Sequence, residues 1–171
     1  MPPALDGPAG SGASDIFLSV TAKRAGKVKG EARSPGHADD IVVSGWRWGL
    51  SVSSSVGMTR ETSLRSYNAL TVYKQIDSAT TALMSALATN DEIKEAKLTM
   101  RRAGGEQEDY FLITLKAARI ASVQHEVDAA GDTRETLSFT FTEVEVEYRG
   151  QRSTGGRGAS TVFTDSLPSR A

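Results

Sequence analysis

The chain has two histidines, His37 and His125, and any acid–base chemistry would centre on them. His37 stands in HADDIVV, with Asp39 and Asp40 close behind it. A histidine oriented by a carboxylate is the base of a nucleophilic hydrolase, and any of the many serines would be its partner. No G-x-S-x-G turn accompanies it, and a histidine beside acids in a polar turn ahead of a strand more commonly orders that turn. Turn ordering by His37, Asp39 and Asp40 is therefore the first expectation, and a small hydrolase using His37 and Asp40 the alternative. His125, in SVQHEVD, has no ligand spacing around it, so no metal site is expected. The run AGKVKG, Ala25 to Gly30, fails as a phosphate loop, because Thr21 takes the first glycine's place and Val28 that of the magnesium-binding hydroxyl. It reads as a basic turn. The absence of cysteine removes thiolate catalysis and disulfides, and no cofactor is expected.

What must position these residues is a run of strands. The 171 residues suit one domain with frayed ends, and the net charge of -1 gives no global basic field for nucleic acid. No segment has the apolar length of a membrane span, and the N-terminus has neither a basic nor an apolar signal region. Synthesis in the cytoplasm without a signal peptide follows as the expectation. Residues 1–14, rich in Pro, Gly, Ala and Ser, read as a flexible extension, residues 15–149 as the domain, and residues 150–171 as a flexible tail. Alternation marks strands at Asp15 to Thr21, Ile41 to Leu50, Tyr67 to Ile76, Ala96 to Arg102, Glu108 to Val127 and Thr133 to Arg149. The polar stretch Ser51 to Ser66 reads as a long inserted loop. A single short helix is predicted at about residues 78–89, with Asp77 or Ser78 as its cap and Ala79, Leu83, Ala86 and Leu87 recurring along it.

Two irregularities narrow the architecture. The Glu108 to Val127 strand is too long to be flat and should bend near Ala117 to Ile120. In the last strand Leu137, Phe139 and Phe141 are apolar at odd positions but Val144, Val146 and Tyr148 at even ones, which requires a bulge or sharp bend at Thr142 to Glu143. Such bends let a sheet close, and the predicted fold is mainly β, an antiparallel β-barrel with one flanking helix. Trp46 and Trp48 share one face of their strand, with Phe139 and Phe141 as further core aromatics, while Arg47 points the other way. Ile41 and Val43 are apolar opposite that tryptophan face, and Tyr110 to Ile113 is apolar on both sides. A neighbouring subunit is the economical cover for such strands. Glu143, Glu145 and Glu147 line one strand face, to be solvated or to meet cations of a neighbour.

Two segments, HADDIVVSGWRWG from His37 to Gly49 and KLTMRRAGG from Lys97 to Gly105, resemble those of the haemolysin-coregulated Hcp family, inner-tube subunits of bacterial type VI secretion systems. The resemblance covers roughly Asp15 to Tyr148. It implies a β-barrel whose copies form a homohexameric ring, rings stacked into a tube that carries or protects effector proteins, sheath and spike proteins as partners, and export by the type VI system to the medium or a target cell. No active site is implied. Arg47 would face the lumen, setting six guanidinium groups around each ring where relatives often carry a small polar residue, which favours acidic cargo. Arg101 and Arg102, ahead of Gly104 and Gly105, read by themselves as a solvated hairpin end and, by the resemblance, as a ring-to-ring contact. A phage-like tail-tube protein and a monomeric ligand-binding barrel are the remaining alternatives.

Overall fold

A computed structural model describes residues 15–53, 64–102, 108–151 and 157–168. The expected N-terminal extension and the Gly104 and Gly105 of the expected hairpin end lie outside the described residues. Along the chain come β1 (Asp15–Ala22), β2 (Gly26–Lys27), β3 (Ile41–Val43), β4 (Gly45–Arg47), β5 (Leu50–Val52), β6 (Arg65–Tyr67) and β7 (Leu70–Lys74). After α1 (Thr80–Ala88) follow β8 (Ile93–Arg101), β9 (Asp109–Val127), β10 (Thr133–Thr140), β11 (Glu143–Gln151) and β12 (Arg157–Ser166). The fold is mainly β and antiparallel throughout, as alternation predicts.

The path of paired strands runs β2–β1–β8–β9–β10–β7–β4. It comes back to its start through a change of partner: β4 pairs with β7 while β3, one residue earlier, pairs with β1. That residue is Ser44, whose amide and hydroxyl both donate to the Tyr73 carbonyl, at 2.8 and 2.9 Å. Enclosed by this path lie Leu18, Ile41, Leu70, Leu98, Ile113, Leu115, Leu137 and Phe139, all buried. Each contributes about 1.5–3 kcal/mol by leaving water.

The long strand β9 bends where expected, at Ala117, whose φ is +46°. Its first half pairs with β8 on one edge and β11 on the other, its second half with β10. The apolar phase slip of the last strand is a bend separating β10 from β11, where the Thr142 hydroxyl donates to the Ala117 carbonyl at 3.3 Å. Register against β9 is the same on both sides of it, from Thr140 opposite Arg119 to Glu143 opposite Lys116, so the two strands turn together. The bulge lies elsewhere, at Ala121, where the partner of β10 steps from Ser122 to Ile120.

The helix begins two residues later than predicted. Asp77 still serves its start, its carboxylate accepting the Ala79 amide at 2.9 Å, whereas Ser78 donates its amide to Glu31 and its hydroxyl to the Lys29 carbonyl. Asn90, at φ +53°, ends it in the left-handed conformation that suits asparagine. Ala79, Leu83 and Ala86 are buried, but Leu87 is exposed.

Two expectations are corrected. The polar stretch Ser51 to Ser66 is not all loop: its ends form the β5–β6 hairpin, with Leu50 opposite Tyr67 and Val52 opposite Arg65, while residues 54–63 lie outside the described residues. The tail is not free either, because β11 continues to Gln151 and β12 pairs along it from Glu143–Ser166 to Gln151–Arg157. Polar, glycine-rich composition signals little burial, but an edge strand is held by its ladder and requires little. Glycine even aids the pairing: a Cβ on Gly158 would lie 2.7 Å from the Gly150 carbonyl oxygen.

Candidate functional site

The loop from Gly30 to Asp40 is laced by backbone bonds, Gly30 N–H to Asp39 O at 2.8 Å and Ala32 N–H to Asp40 O at 2.9 Å. Asp39, exposed at φ +63°, makes the tight turn, a conformation that Asp tolerates better than most residues. The loop lays the buried His37 ring flat on Phe17 of β1, with centroids 4.3 Å apart and planes 6° from parallel. His37 Nδ1 lies 2.9 Å from Asp40 Oδ2 and Nε2 lies 3.0 Å from Asp109 Oδ1. Lys27 pairs with the other Asp40 oxygen at 2.9 Å. With both ring nitrogens held by carboxylates, the group works as a rivet between loop and sheet. His37 and Asp40, expected from the sequence to order the turn, are thus brought together where the loop meets the sheet.

Arg101 joins this cluster. Its Nε lies 3.4 Å from Asp109, its Nη2 donates to the Pro35 carbonyl and its guanidinium sits 5.3 Å over the Phe17 ring. The expectation of a solvated arginine, or of a ring-to-ring contact at Arg101, is therefore corrected: the side chain is buried beneath the loop. The reason lies in β8, where Thr99 and Arg101 share the face of Phe17 that the loop covers. Arg102 faces the other way, half-buried, 4.6 Å over the Tyr110 ring and within 3.3 Å of the Arg149 carbonyl.

Both tryptophans are half-buried and pack against the core. Trp46 stacks on Phe111 at 5.9 Å, and Trp48 stacks on Tyr67 at 5.7 Å with Phe141 beside both. Of the four expected core aromatics, Phe139 alone is fully enclosed, and Trp46, Trp48 and Phe141 form its margin. The Trp48 indole N–H is buried with no acceptor among the described residues. Arg47, between the tryptophans, is exposed on the opposite face.

Tyr67 also ties the β5–β6 hairpin to β12. Its hydroxyl donates to Asp165 Oδ2 at 2.6 Å, while Arg65 grips both Asp165 oxygens and donates to the Ser166 carbonyl at 3.1 Å. Nothing in the sequence signals this clamp across a hundred residues. Hydrogen bonds from Arg65 and then Tyr67 hold the Asp165 carboxyl below its ordinary range. A depressed carboxylate stabilises the fold above its unfolded value, and that contribution disappears as pH falls through the depressed one. Asp165→Asn is expected to free the hairpin, read as faster amide exchange at Arg65 to Tyr67 and altered tryptophan emission, and acidification of the parent should reproduce both. Unchanged exchange in the variant would mean that the aromatic stack alone holds the hairpin.

A second group, this one buried, was missed for another reason. Lys74 and Glu135, both buried, form a direct ion pair across β7 and β10. Lys74 also lies 2.9 Å from Asp77, and His125 Nε2 lies 2.7 Å from Glu135 Oε1. The signal was present in the phase: Leu70, Val72 and Lys74 alternate inward, as do Glu135, Leu137 and Phe139. On β11, Glu143 is exposed, Glu145 half-buried, and Glu147 bonds Arg149 of its own strand at 2.8 Å.

Large apolar side chains remain exposed at Leu50 and Val52 of the hairpin, at Leu64, and at Tyr148, Val162 and Phe163 along β11 and β12. Among the described residues β12 pairs with β11 alone, leaving its outer edge open. No described helix is long and apolar enough to cross a membrane.

Comparison with known proteins agrees with this picture. The family model described as "Type VI secretion system effector, Hcp" matches residues 17–148. The protein named hcp1 of Pseudomonas aeruginosa is 36% identical over 155 residues, which cover 88% of this chain and 92% of that protein. The crystal structure of Hcp1 from Salmonella typhimurium superposes with a TM-score of 0.66 at 28% identity, over 88% of this chain and 93% of that one. A type six secretion system protein of known structure shares the fold at a TM-score of 0.82 and 24% identity, over 91% and 96% of the two chains. A strand path that returns to its start through Ser44, a histidine loop riveted to the sheet and a family match spanning β1 to β11 together make this chain a member of the Hcp family of type VI secretion system proteins.

Proposed function

We propose that six copies of this chain join side by side into a ring and that rings stack into a tube through which effector proteins are carried or protected. The observation that carries this reading is the sheet edge at β12. Its backbone groups are open on one side, and Phe163 and Tyr148 stand exposed beside it. An open, partly apolar edge is a template for another chain, and a head-to-tail contact whose rotation closes covers every such edge without leaving a free one. Arg102 and the β5–β6 hairpin are the candidates for contacts between stacked rings. In this reading the protein does mechanical rather than catalytic work: sheath and spike proteins of the secretion system act on the tube, which leaves the producing cell for the medium or a target cell.

Native mass spectrometry tests the assembly directly. The expected particle contains six chains, and Phe163→Glu should shift the population towards single chains while its circular dichroism stays that of the parent. A spectrum of single chains from the parent at high concentration would defeat the ring.

A further inference from the structure

Two elements of the fold bury almost nothing of their own. Every residue of β5 is exposed, and β6 shields Tyr67 alone. Along β12, Gly158 and Asp165 are the half-buried positions among the described residues, and residues 159–164 between them are all exposed. Neither the β5–β6 hairpin nor β12 belongs to the strand path that encloses the core. A two-stranded hairpin by itself is marginal in water, and an edge strand with no buried side chain has its ladder and little else.

The shielded side chains of these two elements meet each other. Tyr67 donates its hydroxyl to Asp165, stacks on Trp48 and meets the Phe141 ring edge-on at 5.4 Å, while Arg65 holds both Asp165 oxygens. The hydrogen-bonded side-chain route from β12 to the core therefore runs through the hairpin, from Asp165 to Tyr67 and on to the aromatic margin. The other ties of β12 reach β11 and the bend before it: the ladder, Ser160 to Glu147 at 3.3 Å, and the Leu167 amide to the Thr142 carbonyl at 2.7 Å.

We infer that the β5–β6 hairpin is a strap across the tail strand: hairpin and β12 open and close as one unit, and the closed strap holds the β12 edge in line for its contact with a neighbouring copy. The last clause rests on the ring reading, whereas the coupling of the two elements belongs to each chain. Losing the grip on Asp165 leaves β12 tied along one side by backbone bonds, so it frays from the Ser166 end. Losing β12 deprives Arg65 and Tyr67 of their acceptor and leaves the hairpin an aromatic stack. The Arg65 guanidinium is exposed, so salt reaches the ion pair and loosens the strap.

Amide exchange on the full chain tests the coupling from the hairpin's side. Phe163→Glu supplies the background, so that no neighbouring copy shields β12. In it, Arg65→Ala with Tyr67→Phe is expected to speed exchange of the β12 amides about ten-fold, although neither residue lies on that strand, while β9 and β10 keep their rates. Asp165→Arg alone should do the same, and adding Arg65→Asp should recover part of the protection. Raised salt should speed both elements together. Unchanged β12 exchange in the hairpin variant overturns the strap, and so does a rise that extends to β10, which would report a weakened core instead. Native mass spectra without Phe163→Glu separate the strap from the ring. Fewer six-chain particles in the hairpin variant than in the parent are expected. A parent of single chains refutes the ring but leaves the coupling to the exchange data, whereas equal six-chain populations beside fast β12 exchange overturn the strap's hold on assembly.

Discussion

Lys74→Met is expected to lower the unfolding free energy by about 3–5 kcal/mol, because it strands the Glu135 carboxylate in a buried site with His125 and Thr80 as its remaining partners among the described residues. Burial by itself raises the pKa of Glu135, yet hydrogen bonds from Lys74 and His125 outweigh it and hold the carboxyl below its ordinary range. The native group therefore contributes stability above the unfolded carboxylate's pKa, and loses it as pH falls through the depressed folded value. In Lys74→Met the balance reverses: the stranded carboxyl favours its neutral form, so the gap between variant and parent should narrow on acidification. The double substitution Lys74→Met with Glu135→Leu should recover most of the loss, since replacing a whole buried ion pair by apolar groups of similar size is often neutral. His125 then loses its partner but keeps access to water. Urea titrations at neutral and acid pH check all three. If the double variant proves as unstable as the single one, the pair is not an isolated charge problem but part of the packing.

The second large effect concerns a single methyl group. In Gly30→Ala the added Cβ would lie 2.4 Å from the Asp40 carbonyl oxygen and 2.7 Å from both its carbonyl carbon and Ile41 Cα. These are backbone atoms, and they cannot rotate away. The loop must lift, which strains the Gly30–Asp39 hydrogen bond, the His37 stack on Phe17 and the pairing of β3 with β1 that returns the strand path to its start. A cost of about 3 kcal/mol, the upper end for overpacking, is expected. Gly131→Ala provides the control. That residue has φ +85° with nothing within 4 Å of an added Cβ, so its substitution should cost only the left-handed penalty of about 1–2 kcal/mol. Thermal melts give the ranking, and amide exchange at Ile41 to Val43 reports the loosened strand. A Gly30→Ala protein as stable as Gly131→Ala would mean that the loop yields without disturbing the barrel.

Strand positions were legible because one face of each strand is buried and alternation records it. The bend at Ala117 and the break before Glu143 were legible for the same reason, as a strand too long and a phase that slips. The clamp of Arg65 and Tyr67 on Asp165 was not, because pairing across a hundred residues leaves no local pattern. Composition misled at β12, where hydrogen bonds along an edge replace burial, and at Arg101, where charge suggested water although strand phase placed it beneath the loop. Lys74 and Glu135 stood at inward positions of their strands, and a stricter reading of phase over residue type would have found them. His37, Asp39 and Asp40 were legible as neighbours in one turn, but the carboxylate completing the cluster, Asp109, comes from a strand 72 positions away.

Strand β9 belongs to both halves of the barrel, and this governs how the molecule comes apart. Neither half can lose its ladder without disturbing the strand it shares with the other, so opening should be all-or-none, with the buried ladder amides of β9 and β10 exchanging through one shared event. The β5–β6 ladder pairs with neither half and is held to the wall by side chains, so it can fray while the wall around it stays shut.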